Sequence, residues 1–113
     1  METKSLVQIQ SEILQWALKN FGDVPSWQPL LGCQEELGEL THHHLKREQR
    51  IRTNEDHREG QKDSVGDLMI YLMDYCNREG LILDQIINDT WEKVSRRDWR
   101  NNKNDGSQPL SKV

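Results

Sequence analysis

Three glutamates, Glu35, Glu36 and Glu39, fall within the eight residues CQEELGEL. Further along, DSVGDLMIYLMD repeats the theme with Asp63, Asp67 and Asp74, spaced by four and then seven residues. Oxygen donors grouped in this way suit a hard divalent cation. Mg²⁺ in particular is held by a few carboxylates together with waters and the oxygens of a phosphate substrate. Without a cation, like charges three or four residues apart on a helix repel by about 0.2–0.5 kcal/mol per pair. The competing explanation is two ordinary solvated faces. Gly38 and Gly66 bear on the choice, because each directly precedes an acid in mid-helix. Glycine costs about 1 kcal/mol against alanine there. Close approach of two helices would justify that cost, so the acids are expected where two helices meet.

Those helices can be read from the apolar spacing, which has a period near 3.6 almost throughout. Leu6, Ile9, Ile13, Trp16, Ala17 and Phe21 share one face of a first helix, with Ser5 and Gln8 as a capping box and Gly22 as its stop. DVPSWQP is a turn-rich connector, and Pro29 fits the first turn of a second helix running to about Glu48. Cys33, Leu37 and Leu40 define that helix's apolar arc. At about 100° per residue, Glu36 and Glu39 lie together on one flank of the arc, with His43 between them and Glu35 farther toward solvent. REQRIRTNEDHREGQ has no apolar period and reads as a solvated loop with room for ragged helix ends. A third helix carries Val65, Leu68, Met69, Leu72 and Cys76 and stops at Gly80. A fourth carries Leu83, Ile86, Ile87, Trp91 and Val94 and ends near Trp99. The expectation is an all-α four-helix bundle over residues 1–100, followed by a polar, disordered tail over 101–113.

Composition narrows the function. The chain has 113 residues, 30% charged and 34% hydrophobic, with a net charge of −4. That charge argues against binding the nucleic-acid backbone and suits cations, or an anion that arrives with its own metal. Cys33 and Cys76 both sit in apolar periodic segments and read as core thiols in a reducing, cytoplasmic setting. No secretory leader is expected before Leu6, and no apolar run approaches the length of about 18 residues that a membrane span needs.

EELGEL at 35–40, DSVGDLMIYL at 63–72 and WEKVSRRDW at 91–99 together resemble the MazG-like all-α nucleotide pyrophosphohydrolases, over roughly residues 28–100. The resemblance implies a helical bundle that dimerises or assembles further, to a dimer or tetramer. It implies Mg²⁺ or Mn²⁺ as cofactor, and hydrolysis of nucleoside triphosphates to a monophosphate and pyrophosphate. In the family pattern, Glu-x-x-Glu is followed on the next helix by Glu-x-x-Asp. Glu36 and Glu39 match the first pair, Glu35 the extra acid beside it, and Asp67 the final Asp. Ser64 stands where the third carboxylate belongs, and Asp63, one residue earlier, is the candidate substitute. Metal ligation is thus expected from Glu36, Glu39, Asp67 and Asp63, with Glu35 as proton acceptor. Lys93, Arg96 and Arg97 are the candidate phosphate ligands, with Lys93 and Arg97 four apart on one helix face. Their alternative role is to complement the helix macrodipole. The departure at Ser64 motivates a second functional reading, a catalytically weakened module of the same fold that binds nucleotide or metal.

Two other groups draw attention. His42, His43 and His44 are consecutive, so helical geometry points them 100° apart and the three cannot share one zinc ion. His43, one turn beyond Glu39, is the one aligned with the acids. Trp27, Trp91 and Trp99 could stack on a base but read better as core or interface, and Tyr71 borders the acid stripe.

Overall fold

A computed structural model describes residues 2–104 of the chain. It contains four helices: α1 (Leu6–Phe21), α2 (Trp27–Gln49), α3 (His57–Arg78) and α4 (Leu83–Val94). No strand forms among the described residues. From residue 105 onward the expected disordered tail lies outside them.

The ends of the helices follow local chemistry. Ser5 Oγ accepts the Gln8 N–H at 3.2 Å and starts α1, and Gly22, at φ 75°, ends it. Asp56 Oδ1 accepts the Glu59 N–H at 3.1 Å and starts α3. The third helix therefore begins at His57, and residues 57–61 are helical instead of part of a solvated loop. The cap supplies the start signal that the missing apolar period does not. At the other end of the chain, α4 stops at Val94. Arg97 lies beyond it, so the argument that Lys93 and Arg97 share a helix face does not hold.

α2 and α3 form an antiparallel hairpin, the most extensive pairing in the chain. α1 packs on α3, and α4 packs on α1. The buried core lies at the far end of α3 from the hairpin turn, where Ile13, Met73, Cys76 and Leu83 meet. Gln10 ties this junction together. Its side-chain amide donates to Asn77 Oδ1 at 2.9 Å and to the Leu81 carbonyl at 2.8 Å, and its oxygen accepts the Leu83 N–H at 2.9 Å. Arg78 fixes the α1–α2 connector by donating to Asp74 and to the carbonyls of Gly22 and Val24. Asp74 is thereby committed to an ion pair, away from the metal-binding role its place on the acid stripe suggests.

The faces of α2 are arranged differently from what its leucines imply. A Cβ added at Gly32 would collide with the Tyr71 ring, and one added at Gly60 with the His43 ring. These two contacts fix the register, each step forward along α2 matching one step back along α3. The face of α2 turned to α3 therefore runs through Gly32, Glu36 and His43, which is the acid flank. Leu37, at the centre of the expected core arc, is 53% exposed, and Val65 on α3 is exposed as well. Gly38 and Gly66, expected at a close contact, have nothing within 4 Å of an added Cβ. The close-approach glycines are Gly32 and Gly60 instead. With Leu30, Leu31 and Leu37 exposed on α2, the chain has a radius of gyration of 17.8 Å, against about 13 Å for a compact domain of similar length.

Candidate functional site

The register that brings Gly32 to Tyr71 and His43 to Gly60 also sets Glu36 against Asp67 and Glu39 against Ser64. An open cleft of about 440 Å³ results, lined by Glu35, Glu36, Glu39, His43, Gly60, Asp63, Ser64 and Asp67. Five of the six acids singled out in the sequence thus share one cleft, and Asp74 lies outside it. No Lys or Arg is among its lining residues. Ser64 is 4% exposed and Asp63 is exposed, so the cleft holds a buried hydroxyl at the third-carboxylate position and a charged neighbour at its edge. The Glu36 carboxyl is pushed above its ordinary range, first by loss of hydration and then by the negative charges of Asp67, Glu35 and Glu39. No three of these carboxylates converge within 4.8 Å.

A second hollow of about 360 Å³ adjoins the first, since Glu36 and Asp67 line both. Its remaining walls are Trp16, Phe21, Ile70, Tyr71 and Asp74. Trp16 and Phe21 meet edge to face with ring centroids 5.5 Å apart, and both are more than half exposed. Burial first, and the surrounding acids second, push the Tyr71 phenol above its ordinary value. The aromatic surface beside the acids therefore comes from Trp16 and Phe21. In the sequence these two are simply part of the apolar stripe of α1, and only the packing of α1 on α3 brings them here. Trp27, Trp91 and Trp99 are exposed and line neither hollow.

Lys93, Arg96 and Arg97 are also absent from both linings. Lys93 is in the last turn of α4, and Arg96 is paired with Glu92 one turn back. Arg97 Nε is buried without a hydrogen-bond partner. Cys33 and Cys76 are free thiols, both pushed above their ordinary value by burial first. Cys33 Sγ approaches the Leu68 carbonyl at 3.9 Å, so it too faces α3.

One further cluster has no signature in helical spacing. His42, His43, Glu55 and His57 bring one ligand-type atom each to within 4.8 Å of one another. His44 is exposed and stays outside, in keeping with the 100° separation of consecutive side chains. Two of the three consecutive histidines nevertheless share a site, because Glu55 and His57 complete it from the segment read as a loop. Among the described residues, no helix is long and apolar enough to cross a membrane. No protein-family model, no curated protein and no solved structure matches this chain.

Proposed function

We propose that the chain is a MazG-like, metal-dependent nucleotide pyrophosphohydrolase that converts nucleoside triphosphates to monophosphates and pyrophosphate. The observation that carries this reading is the wall shared by the two hollows. Glu35, Glu39 and Asp63, with no Lys or Arg among them, lie on one side of Glu36 and Asp67, and an exposed aromatic pair lies on the other. A triphosphate–metal complex suits the first hollow and a nucleobase the second.

The donor set fits Mg²⁺ or Mn²⁺, being all oxygen and carrying more negative charge than the cleft can hold without cost. Glu36, Glu39, Asp67 and Asp63 would hold the cation, which supplies charge neutralisation at the phosphates and a more acidic water. Glu35, on the solvent side of the acid stripe, accepts the proton of the attacking water. Trp16, Phe21 and Tyr71 offer faces on which a base can stack, a contact that tolerates any base. Lys93, Arg96 and Arg97 enter this reading only through a second copy of the chain. The exposed faces of Leu30, Leu31, Leu37 and Trp91 favour such an assembly, because a lone chain leaves them in water.

Pyrophosphate release is the test, measured across a panel of nucleotides with Mg²⁺ or Mn²⁺. Activity lost in Glu39→Gln and a raised KM in Trp16→Ala are expected. No release from any nucleotide by the wild-type chain would overturn the reading. The burial of Ser64 opposite Glu39 favours a second reading, a module that binds but does not cleave. Mn²⁺ binding without pyrophosphate release would select it.

A further inference from the structure

We infer that His42, His43, His57 and Glu55 form a site for a transition-metal ion of the zinc class, which clips the closed end of the α2–α3 hairpin. The site is distinct in chemistry from the acid cleft. Three imidazoles and one carboxylate prefer a borderline ion such as Zn²⁺, whereas an all-oxygen set prefers Mg²⁺ or Mn²⁺.

The distances fit one ion. His43 Nδ1 and His57 Nδ1 are 3.0 Å apart, His42 Nε2 and Glu55 Oε1 are 3.3 Å apart, and His57 Nδ1 and Glu55 Oε1 are 4.0 Å apart. Two nitrogens on one tetrahedral zinc stand about 3.3 Å apart, from metal–nitrogen lengths of about 2.0–2.1 Å. The four ligand atoms lie within 4.8 Å of one another, so closing the set around an ion takes side-chain shifts of up to about 1.5 Å in the widest pairs.

His57 is already oriented as a ligand. It is 8% exposed, and its Nε2 lies 2.9 Å from the Arg52 carbonyl and 3.3 Å from that of Ile51. A carbonyl can only accept, so Nε2 carries the hydrogen, and the tautomer that can ligate a metal has its lone pair on Nδ1, toward His43. A backbone carbonyl holding the far nitrogen is the usual outer support of a metal-bound histidine. The His43 ring is seated against Gly60, where any side chain would collide with it. Two turns of helix and the connector between them thus meet at one point. The connector needs that fixing, since Arg50 and Arg52 both hold left-handed backbone there, at φ 57° and 52°.

The alternative is a hydrogen-bonded histidine cluster with no affinity for metal, and one experiment separates the two. The untagged full-length chain is dialysed against micromolar ZnCl₂, bound metal is measured, and thermal unfolding is followed with and without zinc. One zinc per chain and a melting temperature higher by several degrees are expected, since an ion bound only by the folded state stabilises it. His42→Gln and His43→Gln avoid the buried His57 and should each weaken zinc on the order of 100-fold, as even outer-sphere changes cost 10–100-fold. His44→Gln and Asp67→Asn should retain full affinity. Wild-type chain without bound zinc would overturn the inference. So would unchanged affinity in both His42→Gln and His43→Gln, or loss in Asp67→Asn, which would move the ion to the acid cleft. None of these results depends on nucleotide hydrolysis, so the zinc site and the proposed activity can fail separately.

Discussion

Glu36→Gln should stabilise the metal-free protein at neutral pH and remove its response to Mn²⁺. Glu36 is half-buried and opposes Asp67, with Glu35 and Glu39 beside it on α2. Its folded-state pKa is raised, by lost hydration first and by these carboxylates second. The sign follows from that direction. Below the ordinary glutamate range both folded and unfolded states hold the proton, and nothing is lost. As pH rises through the elevated folded-state value, the native chain must release the proton against its neighbours, and stability falls. A neutral amide of the same shape escapes this loss. Like-charge helix neighbours cost about 0.2–0.5 kcal/mol per pair, and Asp67 adds a partner across the cleft, so a gain of about 0.5–1 kcal/mol is reasonable. At about 4–8 °C per kcal/mol for a small domain, the melting temperature should rise by about 2–8 °C. The assay is thermal unfolding in chelator at pH 4 and pH 7, repeated with excess Mn²⁺. With metal the order reverses, because only the wild-type chain gains binding energy. Greater stability of the wild type in chelator at pH 7, or equal Mn²⁺ stabilisation of both proteins, would refute the reasoning.

Gly66→Ala should raise stability by up to about 1 kcal/mol, since its Cβ meets open space; Gly60→Ala should lower it, because the His43 ring must move, and chemical denaturation reads both. Gln10→Ala should cost about 2–3 kcal/mol in the same measurement, as the buried Leu83 N–H loses its acceptor. Leu37→Arg should leave helix content by circular dichroism unchanged and shift sedimentation toward the monomer. A wild-type chain that sediments as a monomer at micromolar concentration would remove the basis for that expectation.

Much of the chain was readable from its apolar period, and what was missed has physical causes. The starts of α1 and α4 and the end of α3 follow Ser5, Leu83 and Gly80, as the spacing implies. The first turn of α3 carries no apolar signal, because its buried residue is a histidine, which adds nothing to an apolar count. Asp56 followed by Glu59 was the available signal for that helix start. Periodicity locates the leucines of α2 but does not say which partner covers them, so the acid flank could not be assigned to α3 in advance. The five acids were legible as stripes. Glu55 and His57 were not, because their link to His42 and His43 arises from the turn of the hairpin and not from any helical spacing. Trp16 and Phe21 were visible only as core candidates, and their place beside Glu36 depends on how α1 crosses α3.

The hairpin interface itself gives the strongest reason to look for cations here. Two amphipathic helices normally pair through their apolar arcs, yet α2 turns toward α3 the side that carries Gly32, Glu36 and His43. Along that seam the polar groups are treated unequally. At the closed end His57 is anchored on backbone carbonyls, and His42 and His43 reach Glu55 and His57. Farther along, Cys33 meets a carbonyl of α3 and Tyr71 fills the notch left by Gly32. Between these supports, Glu36 faces Asp67 with Glu35, Glu39 and Asp63 nearby, and no Lys or Arg lines the cleft. A solvated face would disperse such charges or intersperse basic residues at the next turn, as Glu92 and Arg96 do on α4. Glu36 is half-buried while the other four acids are exposed, and its charge is disfavoured by lost hydration and by Asp67, Glu35 and Glu39. A bound divalent cation would offset that repulsion, which is why the proposed metal dependence rests on the α2–α3 seam.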